Sequence, residues 1–139
     1  MIIVVDSNIL FSAIIKDSFT RRLLFEIDHE LIFLEVILEE IEIHKEEIAI
    51  KAKLKREDME RVIRILLKNI SIVPTEILKP YEEQAEEIMG RVDSKDVPFI
   101  DCALAFPGAT IWTDDSDFEK RDKIKILKKK QIKEMLDQE

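Results

Sequence analysis

The sequence predicts an α/β protein of three layers, in which helices cover both faces of a central, parallel, doubly wound sheet of about four to five strands. Short apolar runs of strand length alternate along the chain with longer segments whose apolar residues recur at three- and four-residue steps. No linker, repeat or low-complexity segment interrupts this alternation. We therefore expect residues 1–139 to form a single domain.

Apolar residues with branched side chains define the predicted strands. Residues 2–5 read Ile-Ile-Val-Val, an uninterrupted run typical of a strand that is buried on both faces. Comparable runs follow at residues 31–34, 70–73 and 110–113, with a weaker fifth candidate at 123–127. Pro74 ends the third run because proline cannot donate to a strand ladder. Trp112 lies within the fourth run, and we expect it in the core.

Helical spacing fills the intervals between these runs. It predicts helices at residues 7–16, 19–28, 36–48, 56–68, 80–89 and 97–106, and from 129 to the end of the chain. Pro80 suits the first position of its helix. The two helices between Val36 and Leu67 are expected to form a hairpin that projects beyond the sheet. This hairpin carries more apolar positions than a projecting pair should expose, which predicts a homodimer.

Composition excludes several classes of protein. The single cysteine, Cys102, cannot form an internal disulfide and supplies no zinc cluster. No apolar run approaches the ~18–20 residues that span a bilayer, and the amino terminus lacks a basic segment of the kind that begins a signal peptide. We therefore expect a cytoplasmic protein that does not enter membranes.

The charge of the chain is unevenly distributed. The net charge of −8 argues against broad, non-specific binding of nucleic acid. Residues 123–133, however, contain six lysines and no acid. This segment is either a solvated surface or a local track for nucleic-acid phosphates.

Acidic side chains occur at four places that a parallel sheet can bring together. They are Asp6 after the first strand, Glu40 in the long helix, Asp96 with Asp101 near a helix start, and Asp115 with Asp117 after the fourth strand. Parallel strands end at a common edge, where open α/β sheets bind their ligands. Carboxylates ~4 Å apart repel by up to about 4 kcal/mol per pair at an effective dielectric constant of ~20, so such a cluster requires a cation. Oxygen ligands favour Mg²⁺ or Mn²⁺, which can activate water to hydrolyse a phosphodiester. For Asp6 alone, capping of the following helix is an equally good explanation.

Four segments resemble the PIN-domain family, which is named for the PilT N-terminus. Residues 5–10 resemble its opening motif, Asp-(Ser or Thr)-Asn-aliphatic-Leu, and residues 37–41 contain the glutamate that the family carries in a helix. Residues 93–105 resemble its third acidic segment, and 111–118 resemble its closing Thr-x-Asp-x-(Asp or His)-(Phe or Leu) motif. The segments occur in order and span nearly the whole chain.

The resemblance implies a Rossmann-like sheet and a ribonuclease that depends on Mg²⁺ or Mn²⁺. The acids that would bind metal and act in catalysis are Asp6, Glu40, Asp96 and Asp115, with Asp117 as a further ligand. Asn8 and Thr113 would orient these carboxylates through hydrogen bonds. Glu39 would replace Glu40 if the helix were rotated. Asp101 occupies a position that is apolar in many relatives. It would either join the metal site, next to the ligands, or face solvent.

The family also frames the predicted role. It includes VapC-type toxins, for which the partner is an antitoxin protein, and enzymes of RNA maturation or decay. The predicted substrate in either case is RNA, most readily single-stranded. The alternative is a PIN fold that serves as an inactive scaffold or a partner-binding module, although a degenerate relative would be expected to lose acids that this chain retains. A haloacid-dehalogenase phosphatase would require a second aspartate where this chain has Asn8. A response-regulator receiver would require an acidic pair before its first helix and a lysine after a late strand, and neither is evident.

Overall fold

Five parallel strands form a single sheet in the computed structural model, which describes residues 1–15, 18–89, 97–114 and 125–138. The strands are β1 (Ile2–Val5), β2 (Glu30–Leu34), β3 (Ile70–Val73), β4 (Thr110–Trp112) and β5 (Ile126–Leu127). Their order across the sheet is β3-β2-β1-β4-β5, and every neighbouring pair is parallel. The predicted α/β class with a central parallel sheet is confirmed.

The first strand lies at the centre of this sheet. Val4 pairs with Ile32 of β2 on one side and with Ile111 of β4 on the other. Ile3, Val4 and Val5 are completely buried. A central strand covered by helices on both faces has no polar side, and this is why the run contains no alternating polar residues.

Helices join the strands and flank the sheet. They are α1 (Ser7–Ile15), α2 (Ser18–Glu26), α3 (Glu35–Ile43), α4 (Lys45–Ala52), α5 (Arg56–Leu67), α6 (Thr75–Leu78), α7 (Glu82–Met89), α8 (Val97–Ala105) and α9 (Lys129–Asp137). Helix α8 lies against β1, β2 and β4 and packs on α6 and α7, whereas α1 packs on α2, α4 and α5. In the described part of the chain, no helix is both long enough and apolar enough to cross a membrane.

The predicted helix at residues 36–48 is wrong as a single element, because two helices occupy this region. His44 has φ −101° and ψ 17°, outside the α-helical region, and its N–H donates to the Glu40 carbonyl oxygen at 3.0 Å. Helix α4 then begins with Glu46 and Glu47 in its first turn, where carboxylates stabilise the positive end of a helix. The apolar spacing continues through the break, so periodicity alone does not detect it.

Pro80 does not open the helix that follows it. It lies in a 3₁₀ turn, Lys79–Tyr81, between α6 and α7. A short helix that the sequence does not predict, α6, begins directly after Pro74. Proline is tolerated at the first turn of a helix, where no N–H is required, so it marks a helical start without identifying which residue begins the helix.

The predicted hairpin is formed by α4 and α5, and it is anchored to the other helices. Both of its helices pack on α1, and α5 also contacts α2 and β3. Met59 and Leu66 are buried at these contacts. The Lys45 ammonium lies 2.8 Å from an oxygen of Glu42 and 3.1 Å from an oxygen of Glu60, so it links α3, α4 and α5.

Candidate active site

Asp6 lies at the carboxyl end of the central strand. Its backbone N–H donates to the Trp112 carbonyl oxygen at 3.1 Å, which extends the pairing of β1 with β4 by one residue. Its own carbonyl oxygen accepts the N–H groups of Ile9 and Leu10, at 3.1 and 3.3 Å, so α1 begins here. Only 2% of Asp6 is exposed. A carboxylate buried to this extent requires polar or charged partners.

Thr113 is one of those partners. Its hydroxyl donates to Oδ2 of Asp6 at 2.7 Å, and both side chains are buried. The strand register explains the contact: Val5 pairs with Trp112, so the next residues of the two parallel strands lie side by side. The alternative role for the Asp6 side chain was to cap α1. The hydrogen bond with Thr113 instead joins two neighbouring strands and holds the carboxylate at the edge of the sheet.

Glu40 lies on a helix that starts at the same edge. Helix α3 follows β2 directly, and β2 is the parallel neighbour of β1. Ile37 and Ile41 form the buried side of α3, while Glu39 and Glu40 are exposed. Since successive helical residues are about 100° apart, Glu40 flanks the buried side and Glu39 lies opposite to it. This geometry favours Glu40 over Glu39 as the inward-reaching acid.

Three of the predicted ligands, Asp96, Asp115 and Asp117, lie outside the described residues. The described segments next to them reach the same region. Asp114 directly follows Thr113 and is exposed, and its Oδ1 accepts the backbone N–H of Lys129 at 3.2 Å. Helix α8 leads into the amino end of β4 through a turn at Gly108, so the start of α8 at Val97 lies toward the carboxyl edge.

Asn8 is the second residue of α1, two positions after Asp6, and its side chain is exposed. A short polar side chain in the first turn of a helix is accessible to a ligand at this edge of the sheet. The structure therefore brings Thr113 directly onto Asp6, while Asn8 stays at the solvent side of the same edge.

Asp101 is buried in α8, so its predicted alternative of facing solvent is wrong. Only 3% of the residue is exposed, and its Oδ1 has no hydrogen-bond partner among the residues that the structure describes. Burial, together with the negative charges of Glu82 and Glu86, raises the pKa of this carboxyl to about 7. Both glutamates belong to α7, which packs on α8. Nothing in the sequence links Asp101 to this pair, because the contact arises only when the two helices pack.

Nucleophilic catalysis by cysteine or histidine finds no support at this edge. Cys102 is completely buried, and burial raises the pKa of its thiol to about 12, so the reactive thiolate is absent near neutral pH. His44 is exposed between α3 and α4, where its Nδ1 lies 3.7 Å from a carboxylate oxygen of Glu47. His29 Nδ1 lies 3.5 Å from the amino-terminal nitrogen.

The donor chemistry at this edge fits a hard divalent cation. The predicted ligands are all carboxylates, and Mg²⁺ and Mn²⁺ prefer oxygen. A buried carboxylate with one oxygen held by a hydroxyl, as in Asp6, is typical of a ligand whose orientation is set by a neighbouring group. Within the described ranges, no three His, Cys, Asp or Glu side chains gather closely enough to hold an ion. A complete site therefore requires acids from the three positions outside those ranges.

Comparison with known proteins agrees with this architecture. A family model of the PIN domain matches residues 4–137. Among similar solved structures is that of VapBC2 from Rickettsia felis bound to a DNA fragment from their promoter. Its TM-score is 0.67 and its sequence identity 18%, over 92% of this chain and 98% of that one. At this identity the likeness shows the fold, and no curated protein matches the chain significantly. Because the family model covers nearly the whole sequence, the chain belongs to the PIN-domain family of nucleases.

Proposed function

We propose that this protein is a metal-dependent endoribonuclease that hydrolyses phosphodiester bonds of single-stranded RNA. The observation that carries the proposal is the buried Asp6 carboxylate at the carboxyl end of the central strand, held by the Thr113 hydroxyl at 2.7 Å. A buried carboxylate so placed and oriented is suited to binding a cation, and parallel sheets bind ligands at this edge.

The residues divide into those that would hold Mg²⁺ or Mn²⁺ and those that would orient them. The acids proposed to hold the ion are Asp6, Glu40, Asp96, Asp115 and Asp117. A divalent ion bound by these acids would activate water for attack on phosphorus and stabilise the leaving oxygen. Thr113 orients Asp6, and Asn8 is available to hydrogen-bond a carboxylate or the substrate. Asp101 does not bind the ion itself. It influences the proposed ligands indirectly, through the packing of α8.

Cleavage of RNA tests the proposal directly. Purified protein would be incubated with a broad panel of structured and unstructured RNAs, in Mg²⁺ or Mn²⁺, in EDTA, and in monovalent salt of matched ionic strength. We expect endonucleolytic cleavage only with the divalent ion. A panel that stays intact under every condition would contradict the nuclease proposal and favour the scaffold alternative.

A pair of Thr113 variants separates orientation from packing. Thr113→Val keeps the shape but removes the hydroxyl that bonds Asp6, and we expect cleavage to fall roughly 10- to 100-fold, as it does when partners of metal ligands are lost. Thr113→Ser retains the hydroxyl and should keep most of the activity. Equal rates for the Val and Ser variants would show that the hydrogen bond does not serve catalysis.

The cellular role that we propose is that of a cytoplasmic toxin whose partner is an antitoxin protein. The support is the PIN fold that the chain shares with the VapBC2 structure, together with the resemblance of its motifs to the PIN-domain family, which includes VapC-type toxins. Expression with and without the protein encoded by the adjacent upstream gene tests this role. Growth arrest that the neighbour relieves is expected, whereas growth unaffected by the active enzyme would favour RNA maturation or decay.

Self-association is the remaining element of the proposal. Ile43, at the end of α3, and Ile50, in α4, are each 77% exposed, and such apolar side chains are favourable positions for contact with a second copy. We propose a homodimer through this side of the molecule. Sedimentation at micromolar concentration should give a dimer for the wild type, and a monomer at that concentration would rule it out.

A further inference from the structure

Four lysines lie on either side of β5 and in the first turn of α9, close to the candidate active site. We call Lys125, Lys128, Lys129 and Lys130 the α9 lysine surface. Two hydrogen bonds connect this surface to the site. The backbone N–H of Lys129 donates to the Asp114 carboxylate, and the hydroxyl of Thr113, the residue before Asp114, donates to the Asp6 carboxylate. Thr113 is also tied to this surface through its own N–H, which donates to the Leu127 carbonyl oxygen at 3.0 Å.

The surface borders a depression with anion-binding chemistry. Its volume is about 460 Å³, and it is lined by Ile126, Lys128, Lys130, Gln131 and Glu134. This volume falls in the range of ligand-binding clefts, ~300–1,000 Å³. The Gln131 Oε1 accepts the Lys128 N–H at 2.8 Å, so the side-chain amide is held in place. Two ammonium groups and an amide offer several donors to a phosphate, while Glu134 opposes them from the same helix.

The lysines at the start of α9 do not stabilise this helix through its dipole. Its first turn carries lysines and no acid, and positive charges there are repelled by the positive end of the helix dipole. Lys133, farther along the same helix, is different. Its Nζ lies 5.9 Å from the centre of the Phe19 ring, so a contact within the fold explains that residue. Lys133 is therefore left out of the α9 lysine surface.

We propose that the α9 lysine surface binds the phosphate backbone of single-stranded RNA and guides the strand to the Asp6 edge of the sheet. The inference rests on the proposed ribonuclease function, because the adjoining site would otherwise have no need of RNA. In a chain of net charge −8, a local basic surface beside the acids allows a polyanion to approach them. Its position next to Asp114 and Thr113 favours the substrate over an acidic protein as the occupant.

Binding of a short, fluorescently labelled, unstructured RNA tests this proposal. All proteins would carry Asp6→Asn, so that the RNA is not cut, and affinity would be measured by anisotropy over a series of salt concentrations. The test variant is Lys128→Gln with Lys130→Gln. The control, Lys68→Gln with Lys133→Gln, removes the same charge outside the depression. Glu134→Gln removes the opposing acid.

We expect the test variant to bind several-fold more weakly and to flatten the slope of log K against log salt by about 1.4, since each phosphate contact on a single strand contributes about 0.7. The control should bind like the parent, and Glu134→Gln should bind more tightly. An unchanged affinity and slope would overturn the proposal and assign the surface to an acidic protein partner. An equal loss in the control would overturn it in favour of a general charge effect.

The outcome is separable from that of the nuclease proposal. Loss of RNA binding in the test variant, in a protein whose wild type cleaves no RNA, would support the surface and contradict the nuclease. Cleavage by the wild type, with RNA binding unchanged in the test variant, would support the nuclease proposal and contradict the role of the α9 lysine surface.

Discussion

The chemistry of the site depends first on how single residues are placed. Asp6 could be identified from the sequence because a carboxylate directly after a central strand must emerge at the ligand-binding edge. Its hydrogen bond to Thr113 follows from the pairing of Val5 with Trp112, a register that the sequence does not reveal. The surroundings of Asp101 were equally hidden, since its neighbours Glu82 and Glu86 come from a different helix.

The burial of Asp101 predicts how the free energy of unfolding depends on pH. Burial raises its pKa from 3.8 to about 7 in the folded protein, so the folded state binds more protons than the unfolded state between these values. The free energy of unfolding therefore falls as pH rises through this range. Asp101→Asn cannot ionise, and we expect it to exceed the wild type in stability above pH 7 by about 1–3 kcal/mol, the scale of a buried unpartnered polar group. The gain should shrink toward pH 5.

Chemical denaturation at pH 5, 7 and 8.5 measures this difference. Glu83→Gln, on α7 but absent from the groups that act on Asp101, is the control and should show no such pH dependence. A gain for Asp101→Asn that is the same at every pH would contradict the account of its surroundings.

At the scale of elements, the strands and the helices were not equally predictable. Four of the five strands lie within their predicted runs, and β2 begins one residue before its run, at Glu30. The central strand β1 was readily identified because burial on both faces leaves uninterrupted apolar sequence. The division of one predicted helix at His44 was missed, since the backbone leaves the helical region without a glycine or proline to mark it. Helix α6 was missed because four residues are too few to show a helical period.

The links between α3, α4 and α5 give a prediction at this scale. The hydrogen bond from Lys45 lowers the pKa of Glu60, with smaller contributions from Arg56. A carboxyl with a lowered pKa stabilises the fold above its unfolded pKa, and this contribution is lost as pH falls through the folded pKa. We therefore expect Glu60→Gln to lower the melting temperature at pH 7, and the deficit to disappear in acid.

Melting would be followed from pH 7 to pH 3 for the wild type, Glu60→Gln and a control. Glu87→Gln, an exposed acid on α7, provides that control. A deficit that persists unchanged at pH 3 would indicate lost packing instead of a lost ion pair.

For the molecule as a whole, the fold was more predictable than the site. The parallel sheet follows from alternating runs and helical periods, which are local properties of sequence. Convergence of the acids depends on the segments between elements, and the positions of Asp96, Asp115 and Asp117 therefore remain predictions. The role of the charge distribution was also only partly predictable. The lysines of residues 123–133 are visible in the sequence, whereas the hydrogen bond from the Lys129 backbone to Asp114 is seen only in the folded structure.

The rate of RNA cleavage by Asp6→Asn tests the central claim most directly. Asparagine keeps the shape, the hydrogen-bonding capacity and the capping ability of aspartate while removing its charge. We predict a fall of orders of magnitude in the rate with Mg²⁺ or Mn²⁺, while Asp58→Asn on α5 retains full activity. The melting temperature in EDTA should stay level or rise, because one repulsion among the acids is relieved. An Asp6→Asn protein that cleaves RNA at the wild-type rate would contradict the assignment of Asp6 as a metal ligand, and with it the proposed mechanism.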